Sequence, residues 1–330
     1  MWPFDALGTG HNPSWLVLYV LTWALHFAFV GYVLVGTAYA LVQAMRKVED
    51  PIAEQVRDRL PFMLGCGITA GVAPLLFIQL LYQRHFYSSN LILGPRWGAV
   101  VPALIVGFYA LYIAKSSLKW RRLALGVGAV CFLFVAWSWT EIHQLMLDEP
   151  VWKTMYAASD RLYGDGSVLP RLVMWLGVMT TVFAGIAAWT SPAHHATGVA
   201  VPGRNRLVVI GLAGHVVAGI GLAWVMSRST GEVSTHGWSY LLVGAVVVEL
   251  IGWIALLRAP HGSGLLLVTG GGTAALFAGA VVREAPRLSI LEPATAARIE
   301  ASGFPMFLAT FLFGVVAIAW IVKTIRTARD

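Results

Sequence analysis

The sequence predicts an all-α, polytopic integral membrane protein with nine transmembrane helices, its N-terminus outside and its C-terminus cytoplasmic. Three observations carry this. Of the 330 residues, 58% are hydrophobic and only 12% are charged, about half the charge of a soluble domain. Mean hydropathy is +0.72. The apolar residues fall in nine continuous runs, at 14–40, 60–82, 99–114, 123–140, 171–190, 207–226, 237–257, 265–282 and 304–322. A helix needs about 20 such residues, at ~1.5 Å rise each, to cross ~30 Å of hydrocarbon. Uninterrupted runs exclude a β-barrel, whose strands alternate. The composition excludes a soluble enzyme, a disulfide scaffold and a disordered tail, and all nine runs read as one helical domain over 1–330.

Charge sets the direction. With the N-terminus outside, the inward loops carry 14 Lys and Arg and the outward segments 9, and the segment before the first run carries none. Basic residues concentrate in cytoplasmic loops. The net charge of +7 is therefore a topology signal and gives no reason to expect nucleic acid as a partner. The surroundings expected are lipid, in a bacterial-type inner membrane. The first run has no preceding charge and is too long for a cleaved signal peptide. Trp15, Trp97, Trp120, Trp152, Trp189 and Trp238 fall near run ends, where amphipathic rings anchor.

Taken in order, the first run holds His26 near mid-depth. The second holds Pro74, expected to kink it. The third and fourth are apolar, and the fourth leads into Glu141, His143, Asp148 and Glu149 at the outer rim. The segment 141–170 is long enough for a short surface helix or a connecting loop, and 283–303 is the other long outer segment. The fifth run contains Met174. The sixth holds His215 and the seventh Glu249 at matching depths on consecutive antiparallel helices, so the two can share a proton or hydrogen bond. Gly270, Gly271 and Gly272 in the eighth run are expected to allow close helix approach. His85, His194, His195, His236 and His261 are expected in loops.

Ionisable groups at mid-membrane are costly, which singles out His26, His215 and Glu249. The His215–Glu249 pair reads either as a proton-relay step or as interhelical hydrogen bonding. Glu141 and His143 are further proton-relay candidates. His26 is a candidate axial ligand of haem iron, since a neutral imidazole holds haem in helix bundles. Cys66 and Cys131 lie within runs and no Cys-x-x-Cys-His occurs. Covalent c-type haem and iron–sulfur clusters are therefore not expected.

The run LHFAFVGYVLVGTAYALVQAM from Leu25, and FMLGCGITAGVAPLLFIQLLYQRHFYSSNLILG from Phe62, resemble the first two helices of the large subunit of cytochrome bd-type quinol oxidases. REAPRL from Arg283 sits where that family has Gly-Arg-Gln-Pro-Trp, with Pro in common. Nine spans with the N-terminus outside is also the family's topology. The resemblance implies a subunit of a respiratory electron-transfer complex that binds few or no b haems. His26 would be a ligand, His215 and Met174 further cofactor contacts, and quinol a potential donor. It implies membrane partner subunits, a bd-like relative among them, or an outer-face cytochrome. The departures are equally specific. The third run lacks the family's Glu residues, Met174 stands near the fifth-helix His, and the outer loop before the seventh helix is short. Oxygen reduction by this chain alone is therefore not implied. The alternatives are an ion or proton channel or transporter subunit and a cofactor-free structural subunit of a larger complex.

Overall fold

The computed structural model describes residues 13–48, 50–190, 204–228, 237–258 and 262–290, and beyond them 306, 309–314, 316 and 320. The chain divides into two compact units, Met1–Ala294 and Thr295–Asp330. In the first unit the described residues form eleven helices: α1 (Pro13–Arg46), α2 (Pro51–Leu81), α3 (Gln83–Leu93), α4 (Pro95–Gly98), α5 (Val100–Ser116), α6 (Arg121–Leu145), α7 (Glu149–Ala158), α8 (Val168–Thr190), α9 (Arg204–Arg228), α10 (Gly237–Arg258) and α11 (Gly262–Ile290). Among the described residues, eight helices are long and apolar enough to cross a membrane. They correspond to the first eight runs, the third of them formed by α4 and α5 together. In the second unit the described residues are helical; most of the ninth run, 304–322, lies outside the described residues.

Consecutive spans pack as antiparallel hairpins: α1 with α2, α5 with α6, α8 with α9, and α10 with α11. Helix α1 is the hub, packing also on α6, α8 and α11. In its most apolar stretch 61% of residues are buried, against 22% for α9, so the described residues leave most of the α9 surface uncovered. A Trp23–Phe27–Trp175 cluster, with centroids 4.9–5.7 Å apart, joins α1 to α8. Tyr32 and Tyr39 flank Phe183 further along the same seam.

Hydroxyl groups in the spans are mostly satisfied locally, which lowers the cost of a dry environment. Thr22, Thr37, Ser138, Thr140 and Thr180 each donate to the carbonyl four residues earlier. Asp50 caps α2: its carboxylate accepts from Ile52 N–H at 3.1 Å, and Pro51 occupies the first turn, where a missing N–H costs nothing. The same carboxylate accepts from Arg206 at 2.6 Å and from the Tyr39 hydroxyl, tying α1, α2 and α9 together at one end of the bundle.

Several boundaries differ from the sequence reading. Helix α2 begins nine residues before its apolar run, because a capped, Pro-led polar turn extends it beyond the apolar stretch. Residues 83–93, which lie between the second and third apolar runs, form α3. His85 is consequently not in a loop; it is buried on α3, its ring edge-on to Trp152 at 5.4 Å. Gly94 links α3 to α4 at φ +55°, a backbone angle that favours glycine. Helix α7 realises the short surface helix of the 141–170 segment. Helix α11 runs to Ile290, so Arg283, Glu284 and Arg287 belong to a helix and not to the outer loop. His194, His195, His236 and His261 lie outside the described residues.

Candidate functional site

Three helices, α9, α10 and α11, meet around Glu249. Its carboxylate is 4% exposed, and Oε2 lies 3.4 Å from Nε2 of His215 on α9. The other oxygen, Oε1, accepts from the Trp253 indole N–H at 3.3 Å, and Trp253 is itself fully buried. His215 Nδ1 lies 3.0 Å from the Gly211 carbonyl, one turn back. Gly211 leaves room for the indole: a Cβ there would stand 2.6 Å from Trp253. On the far side α11 presents its glycines. A Cβ on Gly271 would meet Glu249 N at 2.6 Å, and one on Gly272 the carboxyl carbon at 3.4 Å. The depth match seen in the sequence thus becomes contact, because small residues on both neighbours let three backbones converge on one carboxylate.

The remaining candidates are placed separately. His26 lies against α2, with Nδ1 2.9 Å from the Gly67 carbonyl. A Cβ on Gly71 would stand 2.7 Å from its ring, so the absence of that side chain makes the slot the imidazole fills. Met174 lies on a different seam, α8 against α9, where a Cβ on Gly221 would come 2.3 Å from its backbone N. His26, Met174 and His215 therefore sit at three different helix interfaces, and the structure does not bring them together. Among the described residues no group of three or more His, Cys, Asp or Glu forms a metal-holding arrangement.

Glu141 and His143 diverge. Glu141 is fully buried and accepts from Arg96 at 2.7 Å and from the Tyr163 backbone N–H at 2.7 Å. Arg96 also donates to the Arg161 carbonyl at 3.2 Å, so this carboxylate clamps α4 to the segment after α7. His143, two residues on, faces another way. Its ring is 5.6 Å from Trp139, and the charges bearing on it are Arg287, Arg283 and Arg171.

Those arginines form a largely enclosed charged cluster, of which the sequence reading placed Arg283 and Arg287 in an outer segment and Arg171 at the start of the fifth run. Glu284 is fully buried and accepts from Tyr82 at 2.7 Å, from Arg283 at 2.7 Å and from Arg287 at 3.0 Å. Arg283 also donates to the Tyr19 hydroxyl at 3.1 Å and lies 4.0 Å from the Trp23 ring centroid. The spacing Arg-Glu-x-x-Arg, with i,i+3 partners on one helical face, was the signal available in the sequence. Outside the spans, Tyr163 donates to Asp148 at 2.8 Å and to Asp165 at 2.9 Å, and burial together with these carboxylates pushes its phenol pKa up.

No family model matches this chain, and no curated protein does either.

Proposed function

We propose that this chain is a membrane subunit of a respiratory electron-transfer complex, bd-like in scaffold, and that its own residues handle a proton at mid-membrane through His215 and Glu249. The topology proposed is the one its loop charges predict, N-terminus outside, in a bacterial-type inner membrane. The carrying observation is the 3.4 Å approach of His215 Nε2 to the buried Glu249 Oε2 between α9 and α10. With the Nδ1 hydrogen donated to the Gly211 carbonyl, Nε2 offers a lone pair. A proton on Glu249 Oε2 can pass to Nε2 and back. The move exchanges a neutral acid and imidazole for a carboxylate and imidazolium, so the net charge held inside the membrane is unchanged. Removing either partner leaves the other without its counterpart in a low-dielectric surrounding. The Trp253 indole holds the second carboxylate oxygen and so keeps Oε2 turned to His215.

The test uses the intact complex in proteoliposomes with an entrapped pH dye and an imposed potassium potential. Proton uptake is expected in the wild type and is expected to fall at least tenfold in Glu249→Gln, with the unfolding midpoint kept near wild type. A wild type without uptake, or a Glu249→Gln variant with full uptake, refutes the relay. Loss of fold without any flux in the wild type would instead fit interhelical hydrogen bonding.

A second reading, the b haem implied by the resemblance, rests on His26. Nδ1 held by a backbone carbonyl is the arrangement that orients a ligating imidazole and frees Nε2. The residues fit a single axial ligand. They do not fit a two-ligand haem, because Met174 and His215 lie at other interfaces. When bound, the group would supply one-electron chemistry; this chain's part would be to hold the iron through His26 Nε2. A reduced-minus-oxidised b-type band that is lost in His26→Ala supports this reading. A colourless complex, or a band unchanged in that variant, ends it.

A further inference from the structure

The cluster around Arg283 carries more positive charge than its own carboxylates meet. It is built from the N-terminal turns of α1 and α8 and the C-terminal turns of α2, α6 and α11, which all lie at one end of the bundle. Three guanidiniums, those of Arg171, Arg283 and Arg287, share it with Glu284. Asp165 bears on Arg171 electrostatically but makes neither a hydrogen bond nor an ion pair with it. Glu284 is saturated by Tyr82, Arg283 and Arg287. The Arg171 side chain has no hydrogen-bond or ion-pair partner among the described residues, and its Nε is enclosed without an acceptor. Beside it His143 Nδ1 is likewise enclosed and unpartnered. An enclosed guanidinium N–H without an acceptor is costly. The Arg171 Nε, with the Arg287 charge bearing on the same side chain, calls for an anion with several acceptor oxygens, to which His143 Nδ1 can donate in its Nδ1–H tautomer.

We propose that this cluster is an anion site for a phosphate group, held by Arg171 and His143 and backed by Arg283 and Arg287. Arginine's planar fork suits a tetrahedral oxyanion. Arg171 is only part-buried, which gives the group a way in. The phosphate of an anionic lipid and free inorganic phosphate offer the same chemistry. The site is independent of the His215–Glu249 reading.

The experiment measures the unfolding midpoint of the full chain in its complex, in nanodiscs of phosphatidylcholine or of phosphatidylglycerol, each with and without inorganic phosphate. A rise with phosphatidylglycerol alone assigns a lipid headgroup; a rise with inorganic phosphate in phosphatidylcholine assigns the free anion. Arg171→Gln is expected to weaken the response about tenfold, the loss of one charge-assisted hydrogen bond. Arg258→Gln, at the exposed end of α10, is expected to keep it. Should Arg171→Gln fail to fold, phosphorus-31 titration of the wild type reads the site directly. A wild type that responds to neither probe, or an Arg171→Gln variant that responds as wild type does, overturns the proposal.

Discussion

Two adjacent glycines on α11 offer a sharp test of how the Glu249 site is built. An added Cβ on Gly270 meets nothing within 4 Å, while one on Gly271 would stand 2.6 Å from Glu249 N, 2.8 Å from the Ala245 carbonyl oxygen and 2.9 Å from Glu249 Cα. Replacing either glycine by alanine brings the same intrinsic helix gain, roughly 0.5–1 kcal/mol. That term cancels in the difference between the two variants and leaves packing alone. The Gly271 contact falls about 0.8 Å short of ordinary contact at 3.4 Å. The neighbours are backbone atoms and cannot swing aside, so α10 and α11 must part by about that distance. A gap of ~0.5–1 Å forfeits a quarter to a half of each affected van der Waals well, and overpacking of this kind costs about 1–3 kcal/mol. Gly271→Ala is therefore expected to unfold below Gly270→Ala by about 1–3 kcal/mol, on the order of 2–6 °C in midpoint. Circular dichroism of both variants in one detergent measures it. Gly270→Ala is expected at or slightly above wild type. If Gly271→Ala melts with or above Gly270→Ala, the two helices do not meet at Glu249 as described. A functional readout accompanies the thermal one, since parting α10 from α11 loosens the side of the site that backs the carboxylate. Proton uptake is expected to drop in Gly271→Ala and to be retained in Gly270→Ala.

Three further outcomes are expected. Gly71→Ala would drive a methyl into the His26 ring, whose Cε1 lies 2.7 Å from the built Cβ. It should displace the imidazole from Gly67 and change or abolish any haem band while leaving His215–Glu249 proton uptake intact; an unaltered haem band in this variant would remove the slot from the argument. Asp50→Ala should lose the α2 cap and the acceptor of Arg206 and Tyr39 together, at least ~1–2 kcal/mol from the cap. Asp50→Asn keeps the cap and should cost less, and equal denaturation midpoints for the two would contradict the capping role. The Asp165 carboxyl is pushed up by burial, yet the Ser167 N–H, the Tyr163 hydroxyl and the Arg171 charge hold it net below its usual range. A depressed acid adds stability that is complete above its unfolded pKa of about 3.9 and disappears as pH falls through the folded value. Asp165→Asn should thus melt slightly below wild type at neutral pH, with the gap closing in acid; a gap that widens on acidification would reverse the sign.

The sequence by itself determined that the chain is helical and membrane-bound, and where the first eight spans run. That follows because crossing a bilayer is a property of each segment alone: its apolar length and its internally satisfied backbone decide the matter. It also placed His215 and Glu249 at one depth, since rise per residue along consecutive antiparallel helices is fixed. Rotation about the helix axes was another matter. Whether His215 faces Glu249, whether Met174 faces His26, and whether Glu141 and His143 share a partner depend on which faces interlock. Those faces are set by small residues far apart in the chain, such as Gly71 under His26, Gly221 against Met174 and Gly271 against Glu249. Helix α3 was illegible because its polar stretch Gln83–Asn90 shows neither an apolar stripe nor a cap. The Arg171–Arg283–Arg287 cluster was hidden for the same reason: its members come from two helices more than a hundred residues apart. Only packing brings them to one end of the bundle, where charges that each look solvated in the sequence come to share one largely enclosed cluster with Glu284.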